Sequence, residues 1–193
     1  MVNNATLESH QKSKLEDHKF AFLDFEHQNQ AIASCEQVQM PEAFNPEEEP
    51  PPTKTVLNLE DLRCFEVIER QFEQLGVVFN NCIAIQPSNP AFPTRRNAFV
   101  LMGAPKNGFL EVSFLHPVQF VSALITSSQR LVLSAYNSDR QLLTQTVLRE
   151  ANLANSDSTL SPNTLLSVSA NDICCVIFSA FDGQFTVDDF TFL

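Results

Sequence analysis

From Phe109 onward the chain is a succession of short apolar–polar alternations, each closed by turn-forming residues. A period of two suits a strand with one face in a core, whereas a helix repeats every three to four residues. Phe109-Leu110-Glu111-Val112-Ser113-Phe114 alternates cleanly and stops before Pro117. Further strands are expected over Phe120–Thr126, Arg130–Tyr136, Leu142–Leu148, Leu165–Ser169, Ile173–Ala180 and Phe185–Phe192, with Asn137-Ser138-Asp139 as a hairpin turn. Turn signals every ~8–12 residues indicate an all-β chain folded as an antiparallel β-sandwich. The polar segment Glu150–Pro162 is expected to be a long connection crossing between sheets.

The closing segment, Phe185-Thr186-Val187-Asp188-Asp189-Phe190-Thr191-Phe192, holds two adjacent carboxylates inside a strand composition. Aspartate is depleted in strands and costly to bury unpaired. If Phe185 and Val187 face the core, strict alternation puts Asp189 inward and Phe190 and Phe192 outward. A bulge at Asp188-Asp189 instead returns Phe190 to the core.

Composition removes several function classes. At 193 residues, 44% of them apolar, the chain holds one domain with a core. A formal charge of −11, with Arg95-Arg96 as the sole basic doublet, argues against a nucleic-acid surface, which needs clustered cations. No apolar run approaches the ~20 residues of a membrane span. Met1–Thr6 starts neither a basic nor an apolar leader region, so no secretory signal is expected and the chain reads as cytoplasmic. Five cysteines without a CxxC spacing fit reduced, packed thiols. Of four histidines, only His116 follows the proline run, and there is no GxSxG, P-loop or GxGxxG. The expectation is that this is not an enzyme.

Residues 1–54 carry a net charge of −6 and end in Glu47-Glu48-Glu49-Pro50-Pro51-Pro52, a stiff charged linker. They read as an extended acidic N-terminal arm, and residues 55–193 as the folded domain. Within the arm, Phe20, Phe22 and Phe25 suit either an extra strand or a short motif that orders on a partner. Beyond the linker, Thr55-Val56-Leu57-Asn58-Leu59 alternates as a first strand. Phe65, Ile68, Phe72 and Leu75, followed by Gly76, are spaced as one short amphipathic helix with a glycine stop. Val77-Val78-Phe79 starts another strand, and Gln86–Pro93, with three prolines, must be a loop.

In order, Leu57-Asn58-Leu59-Glu60-Asp61-Leu62, Gly76-Val77-Val78-Phe79, Pro87-Ser88-Asn89-Pro90, Leu133-Ser134-Ala135-Tyr136 and the closing segment resemble bacterial jelly-roll modules of the galactose-binding-like, carbohydrate-binding type. The resemblance implies a two-sheet jelly roll and, by analogy, carbohydrate or protein binding. It also implies that the first and last strands lie close together. Glu60, Asp61, Asp188 and Asp189 would then converge on a structural calcium ion, a hard cation that takes six to eight oxygens. The alternative is that Asp188 is solvated and Asp189 accepts backbone N–H bonds at the bulge.

Ser88, Asn89, Arg95, Arg96 and Asn107 form the candidate rim of a glycan site. Against a sugar stand the absence of Trp and the single Tyr, since exposed recognition rings are usually amphipathic. Sequence alone therefore favours a non-catalytic interaction module that binds a protein partner, or self-associates, through its arm. A carbohydrate-binding module is the alternative.

Overall fold

The computed structural model describes residues 53–95, 98–103 and 108–193. The arm residues Phe20, Phe22 and Phe25, and the rim candidates Arg96 and Asn107, lie outside the described residues. What is described is all-β and antiparallel, and none of its helices is long and apolar enough to cross a membrane.

Ten strands follow one another: β1 Thr55–Val56, β2 Val67–Ile68, β3 Val77–Asn80, β4 Cys82–Ile85, β5 Val100–Gly103, β6 Phe109–Ser127, β7 Leu131–Tyr136, β8 Leu142–Leu148, β9 Thr164–Ser179 and β10 Phe185–Phe192. They form one hydrogen-bonded sheet in the order β2-β4-β5-β10-β6-β9-β7-β8, with β1 added to β10 and β3 to β6. The long strands β6 and β9 hold this together. The first half of β6 pairs with β3 and with the second half of β9, and its second half pairs with β10 and with the first half of β9.

Strands β9 and β10 are not hydrogen-bonded neighbours, yet the ring of Phe178 lies 6.5 Å from Phe185 and 6.3 Å from Phe190. Phe178 pairs with Leu110 near one end of β6 and Phe185 with Ser127 at the other, so β6 bends to bring these rings into one core. Phe79, Phe178, Phe185 and Phe190 are each at most 2% exposed there.

Two expected breaks are bends inside single strands. The register slips between Ser113 and Val118 and again before Phe120. Pro117, which has no N–H for a ladder, falls inside the first slip. Opposite it, Asp172 takes a positive φ of 62°. Four expected strands are therefore two long ones.

The expected helix is corrected more fundamentally. Phe65–Gly76 holds β2 and a single 3-10 turn, Glu73–Leu75, which Gly76 closes at φ 85° by donating its N–H to Glu73 O at 2.9 Å. Ile68 and Phe72 do enter the core, but Phe65 is 76% exposed and Leu75 47%. The three- and four-residue spacing arises from a strand followed by a turn.

The connection from β8 to β9 is fastened by Asn152, which is fully buried. Its Oδ1 accepts the Ser127 N–H at 2.7 Å, and its Nδ2 lies within donating distance of Ile125 O at 2.8 Å and Ser161 O at 3.0 Å. Cys82 and Cys175 are buried and Cys64 is exposed, all as free thiols. Burial pushes the Cys82 thiol far up. It also lifts Cys175, with help from the nearby Glu111 carboxylate, from 9.0 to about 12.

Replacing Phe190 by Ala empties the centre of the aromatic cluster. The expected loss is about 3–5 kcal/mol in a urea titration, with an unchanged m-value.

Candidate functional site

β4 and β5 build an apolar surface on the side of the sheet away from the core. In β4 the residues Cys82 and Ala84 point into the core, leaving Ile83 and Ile85 on the outer face. The register sets Ile83 opposite Met102, and Met102 opposite Thr186 of β10. This row forms the floor of a groove of about 320 Å³. Phe65 and Phe92 stand along it, and Gln86, Ser88, Asn89 and Gln184 supply polar groups. None of the described residues lining the groove carries a charge.

Phe65 is the unusual member. It is non-glycine at φ 65° and mostly exposed. For a bulky side chain that conformation is an outlier costing about 1–3 kcal/mol, and such strain persists only where surroundings enforce it. The enforcement is visible on both sides. Phe65 N–H donates to Ala84 O at 2.7 Å, and Glu66 O accepts the Ala84 N–H at 2.8 Å. The Glu66 carboxylate accepts the Arg63 N–H at 2.9 Å and an N–H of the Gln71 amide at 3.1 Å. These two bonds, led by the one from Arg63, hold its pKa below the ordinary 4.5.

The opposite wall is the proline loop between β4 and β5. Asn89 shapes its turn, with Oδ1 accepting the Ala91 N–H at 3.0 Å and its carbonyl accepting the Phe92 N–H at 3.0 Å. Two outside contacts anchor the loop, one from Ala154 N–H to Ala91 O at 3.0 Å and one from Asn163 Nδ2 to Pro93 O at 2.9 Å. A third is the carboxylate of Asp188, whose Oδ2 accepts the Arg95 N–H at 3.0 Å.

Asp188 thus lies under the loop, 1% exposed, and its other oxygen accepts the Asp189 N–H at 2.8 Å. Asp189 adopts φ 51°, and the pairing of β10 with β6 slips between Asp188 and Thr191. The bulge is present, and beside it the Asp188 carboxylate accepts backbone N–H bonds from Asp189 and Arg95.

Of the expected site residues, Ser88 and Asn89 line the groove. Arg95 contributes its backbone N–H to Asp188. Glu60 and Asp61 are exposed. Among the described residues no three of His, Cys, Asp and Glu stand together as ion ligands, so Glu60, Asp61, Asp188 and Asp189 do not form one cluster. Sequence reasoning missed Phe65, Ile83 and Met102. The available signal was Cys82–Ile85, a run apolar at both parities, which gives a strand an apolar outer face as well as a core face.

No protein family is matched by this sequence, and no curated protein matches it. Two solved structures show remote likeness. One is TmCBM61 in complex with β-1,4-galactotriose, at 10% identity and TM-score 0.36, covering 63% of this chain and 92% of that one. The other is the arabinose-bound α-L-arabinofuranosidase MgGH51, at 13% identity and TM-score 0.36, covering 68% of this chain and 26% of that one. Likeness at these scores leaves the groove to be read from its own residues.

Two outcomes are expected here. Asp188→Ala leaves two amide N–H groups without this acceptor and should cost about 1.5–3 kcal/mol in denaturant titration. Because the Glu66 pKa is lowered on folding, its contribution is complete above the ordinary 4.5 and fades as pH falls below that value. Amide exchange at Phe65 and Ala84, corrected for intrinsic rates, should become less protected on acidification, and Glu66→Gln should flatten that dependence.

Proposed function

We propose that the folded domain is a non-catalytic jelly-roll module that binds a neutral saccharide in the groove between Phe65 and the proline loop. The bend of β6 around one core, with β1 and β10 paired, supports the two-layer reading. The observation that carries the ligand class is Phe65, an aromatic ring held exposed at a strained φ beside uncharged amides and a hydroxyl.

A sugar ring presents an apolar C–H face and an edge of hydroxyls. An aromatic ring packs on the first, and side-chain amides both donate to and accept from the second. A groove of about 320 Å³ lies at the small end of ligand sites, with room for roughly one or two sugar rings. Among the described residues no charged side chain lines it, so a carboxylated or phosphorylated ligand would gain no ion pair from them. Its described lining residues also include no carboxylate, imidazole or thiol to act as acid, base or nucleophile. Sequence alone favours a protein partner; the groove favours the glycan.

Calorimetric titration against a panel of neutral oligosaccharides, β-1,4-galactotriose among them, tests this directly. Binding by at least one is expected, with Phe65→Ala weakening it by about tenfold or more. Phe65→Gly should abolish binding while raising stability by about 1 kcal/mol, because glycine accepts the positive φ without strain. Failure of every neutral glycan to bind, or binding indifferent to Phe65, would overturn the reading.

A further inference from the structure

β8 stands at one end of the strand order, hydrogen-bonded to β7 and, among the described residues, to no second strand. Exposed edges are usually blunted by lysine, proline or inward-pointing charge. Leu142-Leu143-Thr144-Gln145-Thr146-Val147-Leu148 contains none of these. One irregularity interrupts its pairing, at the Leu142 end opposite Tyr136. The adjacent Leu142 and Leu143 are 52% and 37% exposed.

The strand also reads alike in both directions about Gln145. Thr144 and Thr146 flank it, then Leu143 and Val147, then Leu142 and Leu148. An antiparallel strand laid against its own copy about a two-fold axis needs this kind of sequence, because each residue then meets its mirror position.

We propose that a second copy of this chain pairs antiparallel along β8, with Gln145 on the two-fold axis. In that register Thr144 meets Thr146 of the second copy, and Leu143 meets its Val147. Each copy's exposed Leu142 and Leu143 arrive beside the other's Val147 and Leu148. Those two residues line a groove of about 450 Å³, together with Leu160 and Leu166 and with the more polar Arg149, Glu150, Thr159 and Thr164. The exposed leucines at one end of β8 thus find the hollow at its other end, twice by symmetry, and the contact closes as a dimer.

Charge does not oppose the contact, since Arg140 beside the strand is already paired with Glu111 of its own chain at 2.7 Å. Although the chain carries a net −11, its β8 segment carries no charge to repel its copy.

Sedimentation of the full chain from micromolar to submillimolar concentration tests the proposal. A monomer–dimer equilibrium is expected. Gln145→Lys sets two ammonium groups face to face on the axis and should shift the protein to monomer with unchanged melting, Gln145 being exposed. In a Cys64→Ser background, Gln145→Cys should form an intermolecular disulfide under mild oxidation. Peptide mapping should place that bond between the two introduced thiols, while Ser138→Cys, in the hairpin turn, should not cross-link. A chain that stays monomeric throughout overturns the proposal. So does a dimer that survives Gln145→Lys, or one that forms no disulfide at position 145, since either would use a different surface.

Discussion

The structure depends on one extra residue in β10. A strand with a strict period of two cannot turn Val187 and Phe190 to the same side. The bulge at Asp188-Asp189 lets it do so, and Phe190 then packs against Phe79, Phe178 and Phe192. The bulge also leaves Asp188 on the outer side, where its carboxylate gathers amide N–H groups from Asp189 and from the proline loop. A single local irregularity thus serves the core on one face of the strand and the groove wall on the other.

The two walls of the groove are held by different means. The proline loop is tied from outside by Asp188, Asn163 and Ala154. The Phe65 turn is tied to β4 in a conformation that its side chain disfavours. That conformation costs about 1–3 kcal/mol and is held by the backbone bonds that Phe65 and Glu66 make with Ala84. The floor between them is inexpensive by comparison, since Ile83 and Met102 need only an apolar strand whose inner residues are already committed to the core.

Much of this was legible in residues, though unevenly. β8 and β10 lie where their alternation places them, and the Asn137 turn between β7 and β8 forms with Asn137 Oδ1 accepting the Asp139 and Gln141 N–H groups. The bulge was foreseeable because two aspartates break parity in an otherwise apolar strand. The continuity of β6 and β9 was not, since Pro117 and Asp172 look like terminators and act as bends. β2 was obscured because Ile68 and Phe72 are buried at a helical spacing by coincidence. For the groove, Ser88 and Asn89 were readable from the proline loop, but Phe65 was not: nothing in its neighbours' composition announces a positive φ. The carboxylate quartet does not stand together among the described residues, and the Asp188 carboxylate takes N–H groups from Asp189 beside it and from Arg95, 93 positions away.

The way β6 and β9 span both halves of the sheet has a kinetic consequence. Except for hairpins such as β7–β8, most ladders join segments distant in sequence, and β1 meets β10 across nearly the whole domain. Such a topology has high contact order, so loop closure delays the rewarding contacts and folding is slow. The β7–β8 hairpin, being local, can assemble early and must wait for β9 to shelter its inner flank. During that wait it is the element most exposed to wrong partners, which makes the rate of long-range closure, more than final stability, the variable that governs how well this chain reaches its native state.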